Sequence, residues 1–281
     1  MPREIVTPDG RSFRYREYEL PPLPPEGVRL RVEFAAPKHG TELHLTTGSV
    51  QSRKRWDPDL RLFLPRTEDD PGPPVPAERA LGNMVVGTVT EAGAAVERFR
   101  RGDRVFGYGP IREQHQAVES SLWPLETLSA EDAVCADPAH VALVAVRDGN
   151  IRVGDDVAVF GLGAIGLLAA QIARVGGASR VFTVDPVALR RESALSAGAD
   201  AAFDPRSEDV ALAIKQATGK QGVDVAVETS GSGTALNESI RCIRQCGTVV
   251  HVPWGPKDAS ALHLDEEFHL NRPTIVGSQA V

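Results

Sequence analysis

The sequence predicts an α/β protein in which a β-rich first half precedes a doubly wound parallel sheet. Three observations predict it. An apolar strand runs straight into a glycine turn at Asp156-Val-Ala-Val-Phe-Gly161-Leu-Gly163-Ala-Ile-Gly166. From about residue 130 onward, strand and helix patterns alternate, the order that builds a parallel sheet with helices on both faces. Before residue 128, short β patterns are separated by Gly, Pro and charged residues.

Taken in order, Val28-Arg-Leu-Arg-Val-Glu-Phe34 alternates apolar and charged residues, as a half-buried strand does. Val85-Val-Gly-Thr-Val-Thr-Glu91 and Asp103-Arg-Val-Phe106 read the same way. Residues 51–80 are proline-rich around Asp69-Asp70-Pro71-Gly72-Pro73-Pro74 and are predicted as one or two long loops near a site. These residues form an expected first domain, 1–128. The expected second domain, 129–281, carries predicted strands at 156–160, 180–185, 201–203, 223–229, 247–252 and 274–277. Helices are predicted at 164–176, 187–197, 207–218 and 233–244. Six strands in this order make a complete dinucleotide-binding domain.

Each part of the glycine segment suits a dinucleotide. Gly161 permits a tight strand-to-helix turn, Gly163 lets a pyrophosphate approach the backbone, and Gly166 lets helix and strand pack closely. The helix opening at Ala164 and Ile165 offers unpaired amide hydrogens and the positive end of its dipole. Asp185, about 20 residues beyond the glycines, ends the second strand, where it accepts from ribose hydroxyls and repels a 2′-phosphate. NAD is therefore favoured, while Arg190 and Arg191 leave room for NADP. The other reading of this segment is a glycine turn in a flavodoxin-like sheet that binds nothing.

Composition narrows the classes. At 281 residues, 42% of them hydrophobic, the chain is long enough for a sizeable core and is globular rather than disordered. A formal charge of -7 supplies no basic field for nucleic acid. No apolar run approaches the ~20 residues of a membrane helix, and Met-Pro-Arg-Glu-Ile-Val lacks a signal-peptide pattern. The 3 cysteines fit a reducing cytoplasm. Cys242-x-x-x-Cys246 lacks further ligands and reads as a helix end rather than a metal half-site.

Several segments together resemble the medium-chain dehydrogenase/reductase family, in particular its alcohol and polyol dehydrogenases. His39-Gly40-Thr41-Glu42-Leu43-His44 stands where that branch carries Cys-Gly-Thr/Ser-Asp-Leu-His. Leu81-Gly82-Asn83-Met84-Val85-Val86-Gly87 stands where it carries Gly-His-Glu-x-x-Gly. Gly102-Asp103-Arg104-Val105 matches a family turn, and Ala136-Asp137-Pro138 stands where polyol dehydrogenases carry Ala-Glu-Pro. The resemblance implies a GroES-like β domain followed by a Rossmann domain. It also implies that relatives continue past the sixth strand and return to the first domain. This chain ends at Gln279-Ala280-Val281, so the return is expected to be missing and apolar surface on the β domain exposed.

The resemblance further implies a site whose zinc ligands are largely lost. The family's cysteine, histidine and glutamate positions hold His39, Asn83 and Met84, and only Asp137 keeps a carboxylate. Asparagine and methionine are poor zinc ligands, and no four-cysteine structural-zinc lobe is present. No metal is expected, unless His39 and Asp137 hold a weak one with a further side chain. Thr41 stands at the substrate-contacting hydroxyl, and His44 at the imidazole that passes the proton outward. Without zinc, Lys38 or His39 is left to polarise the substrate oxygen. Thr229, Ser230, Val252, Pro253, Ser278 and Gln279 extend the cofactor site, and Arg190 is placed to stack on adenine. Arg53-Lys54-Arg55-Trp56 is either a solvated run or a selector of acidic substrates.

The expected protein is a zinc-independent NAD(P)-dependent oxidoreductase acting on a small sugar- or polyol-like substrate. It is expected to be cytoplasmic, to form a homodimer, and to have no nucleic-acid or membrane partner. An NADPH-dependent double-bond reductase and a non-catalytic dinucleotide-binding protein are the alternatives.

Overall fold

A computed structural model describes residues 1–9, 11–38, 40, 42, 54–67, 78–254 and 259–280. The chain divides into two compact units, Met1–Asp137 and Pro138–Val281. The boundary falls beyond the expected residue 128. The reason is local packing: Leu125, Ala133 and Val134 are buried with Met84 and Val86 of the first unit. Strand β10 (Leu122–Pro124) and helix α1 (Ala130–Ala133) thus carry the β unit past that point. Ser129 caps α1, accepting from the Asp132 amide at 3.0 Å.

The first unit is antiparallel. Its largest sheet has five strands, in the order β10, β8 (Arg104–Tyr108), β7 (Met84–Ala92), β3 (Gly27–Ala36) and β9 (Gln114–Val118). Alternation in β3 buries Val28 and Leu30 against Val89, Phe99, Val105 and Leu122. A smaller sheet orders β2 (Arg14–Glu17), β1 (Arg3–Thr7) and β6 (Arg79–Ala80).

The expectation of loops across 51–80 is corrected by a hairpin, β4 (Lys54–Asp57) with β5 (Leu62–Pro65). Trp56 and Phe63 sit opposite each other, with ring centroids 5.0 Å apart, a cross-strand aromatic pair that stabilises the register. Neither strand has a fully buried face, so no hydrophobic alternation announced it.

The second unit is one six-stranded parallel sheet. Its order is β13 (Ala201–Phe203), β12 (Arg180–Val184), β11 (Asp156–Phe160), β14 (Val223–Glu228), β15 (Ile243–His251) and β16 (Thr274–Gly277). Near-continuous Val, Ala and Phe runs bury both sheet faces in two clusters. Between strands run α3 (Ala164–Val175), α4 (Ala188–Ser196), α5 (Val210–Ala217) and α6 (Gly233–Cys242). Helix α2 (Ala136–Asp148) precedes the sheet, and the short α7 (Glu267–Asn271) precedes β16. An antiparallel β unit followed in the chain by a six-stranded parallel sheet with helices is the GroES-like plus Rossmann architecture expected.

Strand β15 starts earlier than the predicted residue 247. Ile243 already pairs with Val223, and the register then shifts. Cys246 occupies this irregular stretch at φ 58°. Cys242 closes α6, and Cys246 lies within β15. Cys242 is fully buried and its thiol donates to the Ser239 carbonyl at 3.3 Å. Burial pushes that thiol above the usual cysteine range.

The amino-terminal edge of the sheet is stitched by charge. Arg180 donates to Asp156 Oδ1 at 2.8 Å and to the Ala217 carbonyl at 2.6 Å. Asp224 accepts from the Asp156 amide at 2.9 Å and from Arg244 at 2.6 Å. No helix among the described residues is long and apolar enough to cross a membrane.

Candidate active site

The glycine turn links β11 to α3. Gly161 has φ +87°, and a Cβ there would lie 2.8 Å from the Ser230 backbone nitrogen, so only glycine fits. A Cβ on Gly166 would stand 1.8 Å from the Gly161 carbonyl oxygen, which fixes how closely the helix approaches the turn. Gly163 differs, since a Cβ there would meet nothing within 4 Å. It caps α3 with no side-chain hydrogen bond. By contrast, Asp209 caps α5 and Ser232 caps α6. The first amides of α3, beginning with Ala164 and Ile165, are thus left for an anion, and the open space over Gly163 lets it approach. These residues fit a pyrophosphate.

Asp185 follows β12 and is 2% exposed. Its Oδ2 accepts from the Leu162 amide at 2.7 Å, and its Oδ1 from the Val187 amide at 2.8 Å. The carboxylate therefore anchors the glycine turn while keeping further lone pairs for ribose hydroxyls. Arg190 Nη1 lies 3.4 Å from Asp185 Oδ2, with its side chain 46% exposed. Arg191 is committed elsewhere, donating to the Asp185 carbonyl at 2.7 Å and pairing with Asp204 at 3.1 Å. Of the two arginines, Arg190 is the less tightly held, by a single contact at 3.4 Å.

The strands on the other side of β11 supply the remaining sheet-edge residues. Thr229 Oγ1 donates to the Gly161 carbonyl at 2.7 Å, which braces the turn from β14. Glu228 is fully buried, and its Oε1 accepts from the Ser230 amide at 2.6 Å, the Ser230 hydroxyl at 2.5 Å and the Gly231 amide at 2.8 Å. Its Oε2 lies 3.0 Å from His251 Nδ1. Val252 donates its amide to the Glu228 carbonyl at 3.0 Å, and Pro253 follows it, half-buried. Ser278 is buried and donates its amide to the His251 carbonyl at 2.9 Å, while Gln279 is exposed. Sequence reasoning missed Glu228 and His251. The available signal was an acid closing an apolar strand, Val223-Asp-Val-Ala-Val-Glu228, in the manner of Asp185.

In the first unit the ammonium of Lys38 meets Asp137, at 2.8 Å from Oδ2 and 3.1 Å from Oδ1. The Tyr108 hydroxyl donates to the same Oδ1 at 3.2 Å. Burial, and then the charge of Asp137, raise the Tyr108 hydroxyl above the ordinary tyrosine range. Tyr108 is positioned in turn by His115, whose Nε2 lies 3.1 Å from the Tyr108 carbonyl while Arg112 donates to its Nδ1 at 3.2 Å. Glu42 accepts from the Gly82 amide at 2.6 Å, tying the segment after Lys38 to the turn before Asn83.

Among the described residues at the family's ligand positions, only Asp137 offers a carboxylate, beside Asn83 and Met84. The Asp137 carboxylate is engaged by an ammonium and a phenol. Met84 is 2% exposed and its side chain packs in an apolar cluster. Among the described residues no group of three His, Cys, Asp or Glu could share a metal. His39, Thr41, His44 and Arg53 lie outside the described residues.

A family profile described as "Zinc-binding dehydrogenase" matches residues 164–281. D-guloside 3-dehydrogenase of Escherichia coli (strain K12) is 41% identical over 283 residues, covering 99% of this chain and 81% of the relative. The (R,R)-butanediol dehydrogenase of Bacillus subtilis (strain 168) is 28% identical, over 89% of this chain and 76% of its own length. The crystal structure of 2R,3R-butanediol dehydrogenase from Bacillus subtilis superposes with a TM-score of 0.77 at 26% identity, covering 99% of this chain and 84% of that one. A structure from Sinorhizobium meliloti 1021 bound to NADP superposes at 0.76 with 25% identity, over 99% and 84% of the two chains.

Proposed function

The chain belongs to the medium-chain dehydrogenase/reductase family as an alcohol/polyol dehydrogenase-like oxidoreductase, and on that premise we propose that it oxidises a secondary hydroxyl of a sugar- or polyol-like substrate with NAD and without zinc. The observation that carries this reading is the buried Asp185 carboxylate clamped to the open glycine turn. A carboxylate at the end of the second strand suits the two ribose hydroxyls of NAD and opposes the phosphate of NADP. The name of the Escherichia coli relative, D-guloside 3-dehydrogenase, supports a hexoside hydroxyl as the substrate group.

The bound nicotinamide supplies the hydride acceptor. The chain must then stabilise charge on the substrate oxygen and lead a proton away. Lys38 is the electrophile in this reading, because Asp137 holds its ammonium in a fixed place and a preorganised cation stabilises a developing alkoxide. Tyr108 stays protonated and steadies Asp137. Thr41 and His44 are proposed to relay the proton, with His39 as a second polarising group beside Lys38. No nucleic acid or membrane partner enters this reading. A cytoplasmic homodimer is its expected form.

A second reading rests on Arg190. It is half-exposed and contacts Asp185 only at 3.4 Å, so it could turn to a 2′-phosphate, as an NADPH-dependent double-bond reductase would require. One experiment separates the readings. Protein dialysed against a chelator is mixed with NAD or NADP and a panel of gulosides, other hexosides and polyols, and reduced cofactor is followed by absorbance, with metal content measured in parallel. We expect turnover with NAD on hexosides and far less than one zinc per chain. Activity lost on chelation and restored by zinc would overturn the zinc-free mechanism. Reduction of an activated double bond with NADPH alone would favour the reductase, and cofactor binding with no turnover would favour a binding module.

A further inference from the structure

We infer that His251 is a contact for the nicotinamide-side nucleoside, and that buried Glu228 is the positioning residue that fixes which ring nitrogen faces the ligand. The inference rests on the dinucleotide reading above and adds two residues to it.

Glu228 is the last residue of β14, and His251, the last residue of β15, is its register partner. The carboxylate is fully buried, and a buried carboxylate needs donors for its lone pairs. Oε1 already accepts from three, all in the 230–231 turn. Oε2 and His251 Nδ1 are both buried, neither has a hydrogen-bond partner, and they face each other at 3.0 Å. A proton on Nδ1, turned slightly toward Oε2, would satisfy both atoms at once, and the inference places it there. That leaves Nε2 with a bare lone pair, on a side chain 29% exposed. A carboxylate behind one ring nitrogen sets the tautomer at the other. The backbone of His251 is held too, since its carbonyl accepts from Ser278 at 2.9 Å.

The direction in which Nε2 can work follows from strand order. Ligands of open α/β sheets lie outside the carboxyl ends of the strands, where the order reverses. Here that point is between β11 and β14. Asp185 follows β12, on one side of β11, and suits the adenosine ribose. A pyrophosphate on the glycine turn sends the other nucleoside over β14 and β15. His251 lies two strands from β11, about 10 Å at the usual strand spacing, within reach of a nucleoside attached at the turn. A ribose hydroxyl donating to Nε2 completes the pair.

The test compares NADH with ADP, which lacks the second nucleoside, in calorimetric titrations of the full chain. In His251→Phe, NADH affinity is expected to fall about three- to tenfold, the loss of one hydrogen bond, while ADP affinity stays unchanged. In ¹⁵N histidine spectra the signal missing from His251→Phe identifies His251. It should show the Nδ1–H tautomer, and Glu228→Gln should move the proton to Nε2. Unchanged NADH affinity in His251→Phe, an equal loss for ADP, or an Nε2–H tautomer in the unmodified protein would each overturn the inference. If the unmodified protein binds neither NADH nor ADP, the dinucleotide reading falls with it, a result distinct from the other three.

Discussion

Gly163→Ala isolates the approach of a phosphate to the backbone from everything that holds the turn together. The residue sits at φ -71° and ψ -171°, open to any amino acid, and a new Cβ would meet nothing within 4 Å. Stability should therefore change by no more than about 0.5 kcal/mol in either direction. The methyl would, however, occupy the space through which an anion reaches the first amides of α3. Losing one charge-assisted hydrogen bond there costs about 1.5–3 kcal/mol, or roughly 10- to 150-fold in NADH affinity. Calorimetric titration with NADH, paired with a melting curve, reads both quantities. Gly166→Ala is the opposite case, because its Cβ would stand 1.8 Å from the Gly161 carbonyl oxygen, so it should lower the melting temperature whether or not ligand is present. A Gly163→Ala protein that melts normally and binds NADH within twofold of the parent would refute the placement of the pyrophosphate.

Three further outcomes follow from contacts already described. Lys38→Met should reduce turnover at least 100-fold with NADH affinity unchanged, because the ammonium beside Asp137 is assigned to the substrate oxygen and not to the cofactor; steady-state kinetics and titration decide it. Asp185→Ser should weaken NAD more than NADP and narrow the preference, and it should also lower stability, since the Leu162 and Val187 amides lose their acceptor. His115 governs an acid limb of stability. Burial, and then the charge of Arg112, hold its imidazole down at about 4 against an ordinary 6.5. The folded state therefore binds fewer protons than the unfolded one between those values. The contribution is complete above about pH 6.5 and falls away as pH drops toward 4, by about 3 kcal/mol in all. Denaturant melts across that range should flatten in His115→Phe, and an unchanged slope would show that His115 is not the group responsible.

Much of the second unit was legible in the sequence because parallel strands buried on both faces read as unbroken apolar runs. Asp156–Phe160, Ala201–Phe203 and Thr274–Gly277 begin and end where the pattern places them. The beginning of β15 was hidden, because Arg244, Gln245 and a left-handed Cys246 interrupt the apolar signal before Gly247. The β4–β5 hairpin was hidden for a different reason: its side chains face solvent or one another, so it has no buried face to alternate against. At the site, Gly161, Gly166 and Asp185 were readable from spacing, since each answers a local demand of the backbone. The Lys38–Asp137 pair joins residues 99 positions apart, and the Glu228–His251 pair joins the ends of two strands separated by a helix. No periodicity connects such partners, and only the assembled sheets bring them together.

The ion pairs along the amino-terminal margin of the parallel sheet carry a consequence of their own. Arg180–Asp156 and Arg244–Asp224 are partly solvated, so dissolved salt weakens them. The carboxylates at the opposite margin, Asp185 and Glu228, are enclosed and accept mainly from amides, where salt reaches them poorly. Ionic strength should thus loosen one rim of the domain while leaving the architecture of the other intact. Tolerance to brine could then be tuned by rewriting residues that the coenzyme never meets.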